Sequence, residues 1–231
     1  MKIFELHTPK HIYDFLDRYR KSTQYKFRGQ SDVKWLLIPK AGRNLFVKRN
    51  DIEIFNQWKR RATVYLEKNS DNDTELLCIA QHTGLPTRLL DWTHNPLVAI
   101  FFACIDNFDK DGALFAYKPE NFKSIVDIKN PFSLQEGKIC FLQPNSPHNR
   151  IINQSGYFSI HNKPNLELEQ SGETINLEKI IIPRIFKKEF IFIANQFGIN
   201  NMTIFPDLEG LSKHLNWFYE NYEYWDGKLI E

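Results

Sequence analysis

The sequence predicts an α+β fold, one domain over residues 1–231 with early helices packed on a mixed, mostly antiparallel sheet. Helical periodicity fills the first hundred residues, and strand-like runs bounded by turn residues follow position 110. No linker, repeat or low-complexity stretch separates them. With 42% hydrophobic and 25% charged residues the composition is that of a folded globular chain. The aromatic share of 14%, including 19 Phe, implies a substantial core.

Each element has its local reason. Thr8-Pro9 opens the first helix, Thr as a cap and Pro suited to the first helical position. Ile12, Phe15 and Leu16 continue it as an amphipathic stripe to about Arg20. Residues 24–28 alternate polar and aromatic side chains as a strand does, until Gly29 breaks the run. A short apolar run at 35–38 stops at Pro39. Residues 51–68 carry Ile54, Phe55, Trp58, Ala62 and Tyr65 on one face of a long helix. Asn72 and Glu75 resemble a capping box, and the helix they start ends at Gly84 with Pro86 beyond. Residues 88–92 form a short strand. Asn95-Pro96 then caps an apolar helix over 97–105, central to the core.

Strands follow at 113–117, 138–142, 156–160 and 178–182, and residues 161–177 read as a polar loop. A helix at 184–196 ends at Gly198, and residues 202–205 form a last strand. Pro206-Asp207 starts a final amphipathic helix through Leu208, Leu211, Leu215 and Phe218.

Several classes are disfavoured. No apolar run approaches the ~18 residues of a membrane span, and residues 1–7 are too short and too charged for a signal peptide. Cys78, Cys104 and Cys140 are odd in number, widely spaced and set among apolar neighbours, so buried thiols in a cytoplasmic protein are expected. No metal is expected, since His7 and His11 are four apart but lack a third ligand. There is neither a nucleophile elbow nor a phosphate-binding G-x-x-x-x-G-K-[ST] loop.

The net charge of +2 hides an asymmetry. Residues 1–68 hold 16 Lys+Arg against 7 Asp+Glu, and the remainder holds 14 against 21. A basic first third would attract the phosphates of a nucleotide or a nucleic acid. A solvated basic helix face accounts for it equally well.

Two stretches concentrate hydrogen-bonding chemistry. Arg28-Gly29-Gln30-Ser31 ends a predicted strand: the arginine fork suits phosphate or carboxylate, and Gly29 would let a ligand approach the backbone. Alternatively Arg28 pairs with a buried carboxylate and holds the strand end. Gln81 to Asn95 gathers Gln81, His82, Thr83, Thr87, Arg88, Asp91, Trp92, Thr93 and His94. If that stretch is extended, Thr87, Leu89 and Asp91 share one face and Arg88 takes the other; Arg88 and Asp91 could instead close a turn as an ion pair. His82 suits acid or base work near neutrality, or caps a helix end.

These stretches resemble the FRG domain family. Its name is the Phe-Arg-Gly motif, here 27–29, and it carries Gln-His-x-Gly-x-Pro-Thr-Arg-Leu-Leu-Asp-Trp-Thr, here 81–93, followed by Asn-Pro and an apolar helix ending Phe-Phe-Ala. Arg150 to His161 is similar to the family's Arg/Gln-Gly-x-Phe segment, and 205–211 to its closing element. The likeness covers about residues 20–212.

A looser resemblance is to the layout of ADP-ribosyltransferases, which use NAD. It implies Arg28 as phosphate or ribose anchor, Thr87 or Thr93 in the second motif, and Gln154 near the third. The chain departs in lacking a Ser-Thr-Ser run and in placing Gln where a catalytic Glu is wanted; Glu167, Glu169 and Asp207 are the candidate substitutes. Under this resemblance His82, Asp91 and Gln154 are catalytic, and Arg28, Gly29, Gln30, Gln81, Thr87, Arg88 and Thr93 hold NAD. The activity implied is that of a bacterial toxin or defence effector. Two other classes stay open: a nucleic-acid-binding or nuclease-like module using Tyr25, Trp35 and Trp58, and a non-catalytic interaction domain whose motifs form a structural polar network.

Overall fold

The computed structural model describes residues 1–66, 70–120, 122–135, 138–144, 156–170 and 176–221, and the strand-forming runs among them assemble into one sheet. In chain order the strands are β1 (Lys2–Glu5), β2 (Lys26–Gln30), β3 (Leu89–Thr93), β4 (Gly112–Tyr117), β5 (Phe122–Ser124), β6 (Ile139–Gln143), β7 (Gly156–His161) and β8 (Leu177–Ile182). Their spatial order is β1-β8-β4-β2-β3-β7-β6-β5. Only the outermost pairs, β1 with β8 and β5 with β6, are parallel. The α+β class with a mixed, mostly antiparallel sheet is therefore observed.

The sheet consists of two four-stranded ladders meeting at a narrow seam. β2 pairs with β4 over five residues, and β3 with β7 over five. Between β2 and β3 the register holds a single pair, Phe27 with Thr93. Beyond that pair the strands part.

Helices cover one face. They are α1 (His11–Tyr19), α2 (Asp51–Ala62), α3 (Asp73–His82), α4 (Pro96–Cys104), α5 (Lys187–Gln196), α6 (Asn201–Ile204) and α7 (Leu208–Asn221). Phe27, Leu114 and Ile180 meet Ile12 and Phe15 of α1, Ala99 and Ala103 of α4, and Phe190 of α5. Leu89, Leu142, Phe158 and Ile160 meet Phe55 of α2 and Leu76 and Leu77 of α3. Each large side chain buried there stabilises the fold by about 1.5–3 kcal/mol. The alternate residues Leu90, Trp92, Phe115, Tyr117 and Phe141 face the other side, where Leu37 and Leu168 close over them from irregular segments.

Local chemistry set most helix ends. Asn72 accepts from the Thr74 and Glu75 N–H groups, while Ser70 completes the box by accepting from Asn72 N–H and donating to Glu75. Asn95 accepts from Leu97 N–H ahead of Pro96. Gly84 takes φ 96°, a left-handed conformation that glycine reaches without a side-chain clash.

Elsewhere the expectations need correction. Residues 202–205 do not form a strand: Asn200 and Thr203 make a reciprocal cap that folds Asn201–Ile204 into a helical turn. The second helix stops at Ala62, and Asn50 starts it by accepting from Ile52 and Glu53 N–H. The first helix is not capped by Thr8; it begins at His11 after Lys10. β1 went unread, its parallel partner β8 lying at the other end of the chain. The loop at 161–177 contains a 3-10 turn, Leu168–Gln170, in which Leu168 is fully buried and donates its N–H to Leu37 O. Cys78, Cys104 and Cys140 are buried free thiols, and among the described residues no helix is long and apolar enough to cross a membrane.

Candidate functional site

The seam between β2 and β3 opens into a cleft of about 320 Å³. β2 contributes Phe27, Arg28 and Gly29, and β3 contributes Asp91, Trp92 and Thr93. The end of α3 brings Gln81 and His82, and the apolar wall comes from Val98, Ala99 and Phe102 of α4 with Phe205. Six of the residues expected to act on a ligand, Arg28, Gly29, Gln81, His82, Asp91 and Thr93, thus line one cavity although they come from two distant stretches.

Arg28 sits where the ladder is missing. Its Nη1 donates to the backbone carbonyl of Asp91 at 2.6 Å, while the Asp91 carboxylate is 3.9 Å away. The side chain is only 13% exposed, and Nε is buried without an acceptor among the described residues. Burial lowers the guanidinium's pKa to about 10, opposed by Asp91 and reinforced by the nearby charge of Arg43. It remains a cation at neutral pH. A buried, partly unpaired guanidinium is costly in isolation, which makes its free N–H a strong donor for an anionic or hydroxyl oxygen.

Asp91 is held in place by a directed chain of hydrogen bonds. Thr87 Oγ1 accepts from Leu89 N–H at 3.1 Å and donates to Gln81 Oε1 at 2.6 Å. That fixes the amide's orientation, so Gln81 Nε2 donates to Asp91 Oδ2 at 2.9 Å. The Asp91 side chain is 58% exposed, and its Oδ1 accepts no hydrogen bond from the described residues. The cleft therefore presents an anchored carboxylate beside a buried cation.

Three residues expected to hold a ligand lie away from the cleft. Gln30 is buried and donates Nε2 to Leu36 O at 3.2 Å. Thr87 is buried and acts only through Gln81. Arg88, in the bend just before β3, forms a two-pronged pair with Asp51 at the start of α2, at 2.8 and 2.9 Å. It also donates to Asn162 O, so it closes no turn with Asp91. Gly29 likewise has another purpose: a Cβ there would stand 1.8 Å from Ala99 O, so the glycine admits α4 rather than a ligand. Glu169 packs against the Leu37 segment, and Asp207 caps α7 through Gly210 N–H. Gln154 lies outside the described residues.

Phe102, Phe205 and Arg43 went unassigned. The first two belong to the apolar helix and the closing segment, and their part in the wall follows from helix–strand packing without a local signal.

Beneath Trp92 lies a buried polar chain. Trp92 Nε1–H donates to Ser159 Oγ at 3.0 Å, Ser159 donates to His161 Nε2 at 3.1 Å, and His161 Nδ1–H donates to Leu166 O at 3.3 Å. This chain is the one a neutral imidazole makes, and burial, with the Arg28 charge assisting and the Leu166 bond opposing, depresses its pKa from 6.5 to about 4. The sign follows directly. The unfolded chain binds this proton below 6.5 and the folded protein only near 4, so the stabilisation is complete above 6.5 and is lost as pH falls to about 4. The loss is about 3 kcal/mol. Denaturant melts between pH 7 and 4 should show a flatter profile for His161→Asn than for the native chain; parallel profiles would exclude His161 as the source.

Comparison with known proteins gives one match: residues 23–112 fit the family model described as FRG domain. That span contains both motif stretches, the seam and α4. No curated protein and no solved structure matches the chain.

Proposed function

Since residues 23–112 are an FRG domain whose two motif stretches converge on one cleft, we propose that the cleft binds a nucleotide, NAD in the first instance, and that the protein is an ADP-ribosyltransferase-like enzyme. The observation that carries this reading is Arg28: a buried guanidinium with an unclaimed Nε–H, 3.9 Å from a carboxylate that leaves one oxygen free.

The residues suit such a ligand. The Arg28 fork matches a phosphate or ribose oxygen. Phe27, Phe102 and Phe205 offer apolar surface for a flat ring. The cleft volume lies at the lower end of ligand sites, suited to part of a dinucleotide with the rest outside. NAD would supply a glycosidic bond whose nicotinamide leaves with the bonding pair. Asp91, held by Gln81, would then stabilise the positive charge developing on the ribose, because a fixed carboxylate needs no reorganisation at that moment. His82, also on the cleft wall, would take the proton released by the attacking group.

The test is a thermal-shift titration with NAD together with measurement of nicotinamide release. Arg28→Lys should weaken binding by tenfold or more, since a point charge replaces a fork (about 1.4 kcal/mol or more). Asp91→Asn should keep binding and lose about a hundredfold or more in turnover. Absence of both a shift and release in the native protein would overturn the reading. Variants that merely melt earlier, with ligand response intact, would assign Arg28 and Asp91 to the scaffold alone.

A further inference from the structure

From the rim of the cleft a basic strip runs along the surface through residues 40–61. Lys40 Nζ donates to Gly84 O at 2.9 Å, and Ala41 N–H to Thr87 O at 3.1 Å, which ties the start of the strip to the loop behind Gln81. Arg43 stands close enough to feel the charge of Asp91. Lys48 and Arg49 follow immediately before α2, and Lys59, Arg60 and Arg61 occupy its last turn. Of these seven cations only Lys59 has a carboxylate partner within ion-pair distance, Asp73, among the described residues. Two acids lie in the same stretch, and Asp51 is already committed to Arg88.

The helix dipole explains half of this pattern. Cations in the last turn of α2 are favoured by its negative end. Lys48 and Arg49 sit at the positive end, where the same dipole disfavours them, so their placement costs the fold rather than helping it. Their side chains are exposed and make no hydrogen bond or ion pair with the described residues that would compensate. Exposed apolar side chains accompany the cations, Leu45 at 84% between Arg43 and Lys48 and Tyr65 at 85% beyond α2. A face of purely solvating charge has no use for them, whereas a base can stack on the Tyr65 ring and pack against Leu45. α2 has 12 residues, about 18 Å at ~1.5 Å per residue, so its two charged ends can meet separate phosphates of one strand.

We propose that this strip is a docking surface for single-stranded nucleic acid, with phosphates on the cations at both ends of α2 and bases on the exposed apolar and aromatic groups between and beyond them. The inference rests on the surface outside the cleft and stands apart from the NAD reading.

The experiment is fluorescence anisotropy of the full chain with a labelled oligothymidine of about twenty nucleotides, without NAD, across a salt series. Binding should weaken steeply with salt, by about 0.7 in log K per log salt for each phosphate neutralised. K48E/R49E and R60E/R61E should each lose tenfold or more; K48E/R49E should melt no earlier than the native chain, whereas R60E/R61E also gives up hydrogen bonds to Gln57 and the favourable dipole end, so the uncharged R60Q/R61Q is measured beside it and should likewise lose affinity. No binding, salt-independent binding, or charge-reversed variants that bind like the native chain would overturn the proposal. Tighter binding of polyaspartate than of the oligonucleotide would also overturn it, in favour of an acidic protein partner. Because NAD is absent throughout, a negative result here leaves the cleft reading intact, and a negative NAD titration leaves this one intact.

Discussion

Gly29→Ala is expected to destabilise the protein by 3 kcal/mol or more, and in the extreme to abolish soluble expression. A methyl group there would lie 1.8 Å from Ala99 O, 2.6 Å from Ala103 N and 2.9 Å from Ala99 C. All three are backbone atoms of a buried helix, so no rotamer change relieves the overlap. α4 must move off β2, and with it one wall of the cleft and the packing of Phe27 against Ala99 and Ala103. Overpacking that side chains can absorb costs about 1–3 kcal/mol, and this case lacks that relief. Gly84→Ala is the contrasting control: its φ is 96° but nothing lies within 4 Å of the new methyl, so only backbone strain of about 1–2 kcal/mol is expected. Urea unfolding of both variants checks the pair; equal losses would show that conformation, not contact with α4, governs Gly29.

Lys187→Met should cost about 3–5 kcal/mol in the same assay, with the denaturant slope unchanged. Lys187 is fully buried, and its ammonium donates to Ser31 O at 2.7 Å, Asp106 O at 2.9 Å and Asn107 O at 2.9 Å. Burial lowers its pKa, with Cys104, Asp111, Asp32 and Asp106 opposing. Methionine keeps most of the volume but takes the ammonium from the Ser31 and Asp106 carbonyls, each worth about 1–3 kcal/mol when buried, less whatever water recovers, while Asn107 O keeps the Lys110 N–H at 3.0 Å. Ser31 follows β2 and Asp106–Asn107 follow α4, so one amine fixes the relative position of two cleft walls. Asn107 takes φ 50° where it accepts that bond. A loss below about 1 kcal/mol would mean that the carbonyls are satisfied without it.

What could be read from the sequence was what short-range chemistry decides. The caps at Asn72 and Asn95 and the stop at Gly84 act over a few residues, and each is observed. The segment at 202–205 misled because Ile and Phe favour strands, while Asn200 two residues upstream held the stronger local signal. Convergence of Arg28 with the 81–93 stretch was legible as two dense polar motifs, though not as a seam. The long-range pairings were not legible. Arg88 finds Asp51 at 37 residues' separation and Lys187 finds Ser31 at 156, and nothing near either member announces the other. For the same reason Gly29 read as a ligand's approach route when its neighbour is a helix from seventy residues on.

The single pair joining β2 to β3 gives the sheet the mechanics of two plates on one pin. Every other strand junction is stitched by three or more residue pairs, so bending concentrates at Phe27 and Thr93. Arg28 supplies from a side chain the cross-tie that backbone supplies elsewhere. A guest molecule that drew its guanidinium away from the Asp91 carbonyl would be exchanging a strut of the sheet for its own contacts, so occupancy of the cleft and stiffness of the joint are coupled through that one residue.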